Sequence, residues 1–284
     1  MKLTSKTLAF AGLTAAMAIT STSAMAELFP DFQVNPSAYS PQSTFTADKI
    51  VGGYVEVAQF STTAFTDALN FSGTFTTDIR WQASAFFKDE GTTQLFGGGT
   101  SGSGLNSSYG MYALFSGLTG TFNTVAGITT FTFAPSGTLA LYIDPNLDTV
   151  FGNTTANIGV TANGGDDILI ATGVGVAGTG TLNPFLPTCG TGSGTTINCG
   201  SFGATTSISL NAAGEAYFVD PVPFYPLAFE AGQFNNFNPA SLAPQLINGS
   251  MDVKFGGSVP EPTTVALMGL GLLGLGLRRR KNVA

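Results

Sequence analysis

The sequence predicts an all-β protein, a β-sandwich or jelly-roll-like domain flanked by an N-terminal signal helix and a short C-terminal hydrophobic helix. Apolar and polar residues alternate over short stretches rich in Thr, Val, Ile and Phe, which is the period of a half-buried strand. Gly, Asn, Asp and Pro separate these stretches, as turns require, and helical periodicity is nearly missing. Predicted strands include residues 50–57, 71–76, 79–87, 127–133, 138–143 and 207–210.

The N-terminus has the layout of a secretory signal peptide. Lys2 and Lys6 precede the uncharged apolar run Leu8–Ile19, and Ala24 and Ala26 form an A-x-A cleavage site. The apolar run is too short to span a bilayer, which needs ~20 residues. We expect export through the secretion translocon and cleavage by signal peptidase, with a buried N-terminal helix as the alternative.

The C-terminus has a complementary layout. Val259-Pro260-Glu261-Pro262 opens it, the almost wholly apolar run Thr263–Leu277 follows, and the basic stop Arg278-Arg279-Arg280-Lys281 closes it. The basic residues should stay on the cytoplasmic side of a membrane. A helix over the apolar run would rise about 22 Å, short of a ~30 Å hydrocarbon core. We therefore expect a short transmembrane helix that serves as a processing signal and is removed.

Between the signal peptide, residues 1–26, and the C-terminal sorting signal, residues 259–284, lies one predicted β-rich domain, residues 27–258. It holds 16 acidic and four basic side chains, hence a net charge of −12. A surface this acidic repels phosphate backbones, so nucleic acid is excluded as a partner.

The residue types of this domain restrict its chemistry further. The chain has no histidine, which removes the commonest general base and the imidazole ligand of zinc sites. Cys189 and Cys199 flank a polar loop, and in an exported protein such a pair predicts a disulfide. The alternative, a redox pair, lacks the C-x-x-C spacing.

Two acid-rich segments are the candidates for a metal site. Asp144, Asn146 and Asp148 place oxygen side chains at alternate positions, and Asn163–Asp167 adds more after a glycine turn. Calcium prefers such oxygen clusters in loops, although the bidentate Glu of an EF-hand is absent. If the two loops converge, one calcium site follows. The alternative is that these residues form Asx turns at strand ends.

Catalysis is not expected. The acid pairs Asp89-Glu90 and Asp166-Asp167 are the candidates for glycoside hydrolysis, but adjacent residues on a strand point to opposite faces. A serine triad lacks its histidine and no G-x-S-x-G motif occurs. We therefore predict a protein that is not an enzyme, with a polysaccharide hydrolase as the least favoured alternative.

Phenylalanine and glycine have predicted structural roles. The abundant phenylalanines are expected to fill the space between two sheets, and a surface row that stacks on sugars is the alternative. Residues 97–108, 171–180 and 184–200 are rich in Gly and predict long flexible loops.

The C-terminal tail resembles the PEP-CTERM sorting signal in its V-P-E-P motif, apolar helix and arginine cluster, in that order. The resemblance implies recognition by an exosortase, a transpeptidase-like membrane enzyme, and cleavage near Pro260-Glu261-Pro262. It also implies a Gram-negative bacterium that makes exopolysaccharide. The protein would then lie transiently in the inner membrane and afterwards at the cell surface or in the extracellular matrix.

The body of the chain carries a further resemblance in the stretches Leu28–Phe32, Phe45–Glu56, Tyr109–Phe115, Leu141–Pro145, Gly232–Phe237 and Ile247–Val253. Together they are similar to the flocculation-associated PEP-CTERM protein group, which helps cells to aggregate with exopolysaccharide. The resemblance implies a non-catalytic surface or extracellular matrix protein that promotes flocculation or biofilm association. The second hypothesis is a carbohydrate-binding module, calcium-assisted or without a cofactor.

Overall fold

The structure is a computed structural model that describes residues 30–98, 102–186, 190–191, 197–198, 200–234 and 241–257. The described residues belong to one compact unit, Phe29–Ser258. Its elements are β1 Phe32–Val34, β2 Phe45–Ala47, β3 Lys49–Asp67, β4 Asn70–Lys88, β5 Thr93–Leu95, β6 Gly110–Val125, β7 Ile128–Phe133, β8 Thr138–Asp144, β9 Val150–Phe151, β10 Val160–Ala162, β11 Ile168–Gly173, β12 Gly175–Leu182, β13 Gly190–Thr191, β14 Ile197–Asn198, β15 Gly200–Ser207, β16 Ser209–Leu210, α1 Ala212–Tyr217, β17 Phe218–Asp220, β18 Leu227–Phe234 and β19 Gln245–Gly256.

Eight strands form a closed, barrel-like sheet. The hydrogen-bonded order runs β3-β4-β6-β7-β12-β15-β18-β19 and returns to β3, with every neighbouring pair antiparallel. Strands β8, β11 and β16 extend the sheet from the first half of β6. The all-β prediction is confirmed. The sandwich or jelly-roll arrangement is not, because the hydrogen bonds continue round a ring instead of ending at the edges of two separate sheets.

The strands are longer than local alternation predicted. The predicted stretches 71–76 and 79–87 belong to the single strand β4. The predicted loop 171–180 is wrong, since β11 and β12 cover most of it. Gly178 and Gly180 of β12 lie against the rings of Phe133 and Phe131 from the next strand. Their lack of a side chain gives those rings space, so here glycine supports a strand and does not mark a loop.

Phenylalanine rings fill the interior of the closed sheet. Phe60, Phe75, Phe122 and Phe131 are buried, and the contacting pairs among them have ring centroids 5.6–6.3 Å apart. These spacings are typical of edge-to-face and tilted aromatic packing. An eight-stranded ring encloses about the volume that side chains alone can fill, which agrees with this interior.

One end of the ring, which we call the capped end, is closed by the small sheet β17-β1-β2. Phe32 of β1 is fully buried and contacts four further rings at centroid distances of 5.2–6.4 Å. One of them, Phe255, lies next to the end of β19, so the first and last described strands, β1 and β19, pack together at this end. The opposite end, the tip end, consists of strand connections that include the β3–β4 and β6–β7 turns.

Several predictions lie outside the described residues. These are the signal peptide, the disulfide between Cys189 and Cys199, and the hydrophobic segment Thr263–Leu277. Within the described part of the chain, no helix has the length and apolar character that crossing a bilayer requires.

Candidate functional site

Charge is distributed unevenly between the two ends of the domain. Strands β6, β7, β12 and β15 contain no Asp, Glu, Lys or Arg, and of the described residues at the tip end only Asp67 is charged. The capped end instead carries charged pairs such as Lys49 with Asp252, whose Nζ and Oδ2 atoms lie 3.3 Å apart. An acidic domain therefore has one half that is nearly free of charge.

The outer wall of that half carries rows of hydroxyl groups, which we call the threonine face. Thr121 of β6 is the register partner of Thr74 on one side and of Thr132 on the other, and Thr132 is the partner of Thr179. A second row joins Thr130, Thr181 and Ser201. All of these side chains are exposed: Thr74, Thr121, Thr130, Thr132, Thr179, Thr181 and Ser201.

The threonine face is regular because the sheet is regular. Register partners repeat about every 4.7–4.9 Å across the strands, and alternate residues repeat about every 6.6 Å along them. The Thr130 hydroxyl donates to the Asn123 carbonyl at 3.2 Å, and no hydrogen bond within the described residues engages the hydroxyls of Thr121, Thr132, Thr179 or Thr181. These groups are available to an external hydrogen-bonding partner.

Apolar side chains project from the tip end beyond the threonine face. Phe65, Phe185, Val125 and Leu69 are 70%, 65%, 57% and 53% exposed, and we call them the tip patch. Two turns are joined here, since the Gly127 amide donates to the Leu69 carbonyl at 2.9 Å. The Ala126 amide donates to Asn70 Oδ1 at 3.1 Å. Hydrogen bonds therefore hold together two of the turns beside the tip patch.

The two acid-rich loops converge, as the calcium hypothesis required. Asn146 Nδ2 donates to Asp166 Oδ2 at 2.6 Å, and Thr149 Oγ1 donates to Asp167 Oδ1 at 2.8 Å. Asp148 is exposed. Partial desolvation is the larger cause that raises the pKa of its carboxyl, and the nearby charge of Asp166 raises this pKa further. The loops thus bring negative charges together beside the first residues of β6.

The oxygens of Asp144 are nevertheless already engaged. Oδ1 accepts from the backbone amides of Asn146 and Asp148 at 3.2 and 3.4 Å, and Oδ2 accepts from that of Thr149 at 3.2 Å. This is the Asx-turn arrangement. Over the described ranges, no three side chains among His, Cys, Asp and Glu are grouped so that they could hold a metal ion. The geometry thus favours a structural role for these loops.

The acid pair Asp89-Glu90 lies elsewhere, in the turn after β4. Both residues adopt a positive φ of 57°, and the following amide of Gly91 donates to the Asp48 carboxylate at 3.0 and 3.1 Å. These acids shape a turn at the capped end, and the hydrogen bonding assigns them no other role.

Local sequence patterns did not identify two glutamates that the structure buries. Glu56 accepts from the Thr77 hydroxyl at 2.7 Å and Glu230 from that of Thr206 at 2.5 Å, both within the closed sheet. Burial raises the pKa of Glu56 to about 7 and that of Glu230 to about 8. Strand alternation could have found Glu56, because it shares the inward face of Tyr54 and Ala58.

Glu230 is also the less satisfied of the two carboxyls. Its Oε2 atom is buried, and no described group forms a hydrogen bond with it. The residue borders two small interior cavities of about 30 and 20 Å³, which are otherwise lined almost entirely by apolar side chains. A neutral, protonated Glu230 suits this environment better than a carboxylate.

The C-terminal residues decide how the domain reaches its place of action. Residues 258–281 match the PEP-CTERM protein-sorting motif. The chain is a PEP-CTERM protein. The matched residues include the V-P-E-P motif and the basic stop, so this protein is exported, sorted by an exosortase and placed at the cell surface or outside the cell. No curated protein and no solved structure matches the chain.

Proposed function

We propose that the sorted PEP-CTERM protein is a non-catalytic surface or matrix protein that associates with exopolysaccharide and so promotes flocculation or biofilm association. The observation that carries this proposal is the threonine face, a regular, exposed and uncharged array of hydroxyls on an otherwise acidic domain. Its sorting by an exosortase places it in the compartment where such a polymer is found.

The chemistry of the threonine face suits a hydroxyl-rich polymer. Threonine hydroxyls both donate and accept hydrogen bonds, as sugar hydroxyls do, and their methyl groups offer apolar contact. One such hydrogen bond contributes only about 0.5–1.5 kcal/mol, so useful affinity needs several of them along the same polymer chain. Rows at a constant spacing meet that need.

Electrostatics favours the same surface. Many extracellular polymers carry acidic groups, and the acidic loops near Asp144 and Asp166 would repel them. Except for Thr74 on β4, the threonine face lies on β6, β7, β12 and β15, which contain no ionisable residue, so a neutral or acidic polymer can approach it with little of that repulsion. Repulsion elsewhere then restricts binding to this half of the domain.

The test is co-sedimentation of the processed protein with exopolysaccharide purified from the native strain. The double substitution Thr132→Glu/Thr179→Glu places two carboxylates in the centre of the face, at exposed positions where folding should be retained. We expect at least ten-fold weaker binding, and loss of flocs from cells that carry this variant while polysaccharide is still made.

The matched control is Thr138→Glu/Thr172→Glu, which adds the same charge at exposed strand positions of β8 and β11. It should bind and flocculate like the unmodified protein. Circular dichroism of both variants verifies the fold. Equal binding by the two double variants, or no binding by the unmodified protein, would contradict the proposal.

A further inference from the structure

We propose that the tip patch is a self-association surface at which two copies of this protein meet tip to tip. The contact would be formed by Phe65, Leu69, Val125 and Phe185 of each copy. This inference goes beyond polysaccharide association and does not depend on it, because the tip patch and the threonine face use different side chains.

The tip patch offers a sizeable apolar surface, part of which is held in a fixed position. Enclosing Phe65 and Phe185 alone would bury roughly 200–340 Å² per copy, given that a phenylalanine buries ~150–250 Å². With Leu69 and Val125 the patch reaches about 400–500 Å², within the range of the largest apolar patches on monomers, which are often functional. The hydrogen bonds between the two turns hold Leu69 and Val125 at fixed positions relative to each other.

The distribution of charge on the domain favours a second copy as the partner. None of the described residues at the tip end is basic, so the tip patch offers no positive charge to anionic lipid headgroups. A second copy is itself acidic, and side-by-side contact would bring acidic loops together. Tip-to-tip contact separates these loops by more than the length of β6, which is ~50 Å for 16 residues and far beyond a ~8 Å Debye length.

A contact between the tip patches of two copies would be symmetric. Two identical patches that meet form a two-fold, isologous contact, which is the commonest form of homo-oligomer. The described chain begins and ends at the capped end, as the 5.2 Å separation of the Phe32 and Phe255 rings shows. A tip-to-tip pair therefore leaves the first and last described strands, β1 and β19, of the two copies on opposite outer sides of the pair.

The expected contact is weak. A stable interface usually buries ~800 Å² per partner, nearly twice the area of the tip patch. Many weak pairs between two surfaces would act together, and such avidity can exceed the affinity of one pair by about 10²–10⁴-fold. The contact can thus join surfaces that display many copies while dilute protein stays monomeric.

The experiment is sedimentation equilibrium of the processed protein alone, from micromolar to millimolar concentration. We expect a monomer–dimer equilibrium, and small-angle scattering at high concentration should show capped ends at the far ends of the dimer. The association should strengthen modestly with salt, because Asp67, the one charged side chain among the described tip residues, would lie near its counterpart in the other copy.

Two variants and one matched control make the test decisive. Phe65→Ser/Phe185→Ser should weaken dimerisation at least ten-fold, and Val125→Asp should do so by added repulsion. Phe96→Ser removes a ring that is 69% exposed outside the tip patch and should leave dimerisation unchanged. Melting curves establish that each variant is folded.

The outcomes separate the two proposals. A protein that stays monomeric at millimolar concentration, or a dimer that only Phe96→Ser weakens, would overturn tip-to-tip association. Polysaccharide binding lost in Phe65→Ser/Phe185→Ser without any self-association would also overturn it, and would assign the tip rings to sugar stacking. Failure of the threonine-face variants to affect polysaccharide binding would bear on the proposed function alone.

Discussion

The capped end and the tip end of this domain are built on the same long strands and yet differ in chemistry. At the capped end the fully buried Phe32 is enclosed by other rings, charged side chains surround the rim, and the described chain enters and leaves. At the tip end, Phe65 is 70% exposed near the end of β3, and Asp67 is the one charged side chain among the described residues there. One sheet thus carries one end that buried rings close and another end that leaves apolar side chains exposed.

The difference follows from what covers each end. The three-stranded sheet β17-β1-β2 supplies aromatic side chains that complete the core at one end. The turns at the other end supply apolar residues that point outward. Burial removes apolar surface from water and stabilises the fold, whereas exposed apolar surface is free to stabilise a contact between molecules.

The largest expected difference in the free energy of unfolding is between substitutions of one phenylalanine from each end. Phe32→Ala should lower the free energy of unfolding by about 3–5 kcal/mol, because it removes a fully buried ring and leaves a cavity. Phe65→Ala should change it by no more than about 0.5 kcal/mol, because the ring is largely exposed. Urea denaturation of both variants measures the difference, and similar losses would show that the tip is part of the core.

The second effect concerns the glutamates between the two ends. The carboxyls of Glu56 and Glu230 have pKa values of about 7 and 8 when folded, against the ordinary value of 4.5. From pH 4.5 to about 8 the folded protein therefore keeps protons that the unfolded chain has released. The stability that these groups contribute is fully present below pH 4.5 and is lost as the pH rises through 7 to 8.

Glu230→Gln isolates this effect, because glutamine stays neutral and can still accept from Thr206. We expect the variant to gain about 1–3 kcal/mol at pH 8.5 and almost nothing at pH 4.5. Glu90→Gln, on an exposed turn at the capped end, should follow the unmodified protein at both values. Thermal unfolding across this pH range gives the comparison, and identical pH profiles for all three proteins would refute a buried ionisable Glu230.

The smallest expected difference in the free energy of unfolding is between substitutions of one aspartate from each end. Asp144→Ala should cost about 1–2 kcal/mol, because the buried carboxylate accepts from three backbone amides. Asp67→Ala should cost no more than about 0.5 kcal/mol, since this exposed residue caps a turn through the Leu69 amide at 2.8 Å.

The same measurement tests the calcium hypothesis. After chelation, millimolar calcium should leave the melting temperature of the unmodified protein unchanged, because the turns already use the Asp144 oxygens. A clear upward shift that Asp144→Ala abolishes would reinstate Asp144, Asn146 and Asp148 as metal ligands.

Local sequence patterns predicted part of this structure well. The alternation in residues 50–57 lies within β3, and that in residues 138–143 lies within β8. The glycine-rich pattern in residues 171–180 predicted a loop, and this was wrong, because the glycines of β12 provide space for rings from a neighbouring strand. That space is a property of the packing between strands, so a single stretch of sequence does not reveal it.

The same distinction applies to the candidate sites. The sorting motif was readable because its three parts follow one another along the chain. The threonine face was not, because its row Thr74, Thr121, Thr132 and Thr179 runs over four strands, from β4 to β12, with other segments of the chain between them. Only strand pairing shows that they form one row.

The sequence by itself determined that this protein is β-rich, acidic and directed out of the cell, because composition, alternation and sorting signals are local properties of a chain. The tertiary structure alone decided that the sheet closes, which glutamates become buried, and where charge and hydroxyls collect. Those features arise from the register between distant strands, and a one-residue shift of that register would turn each affected side chain to the opposite face.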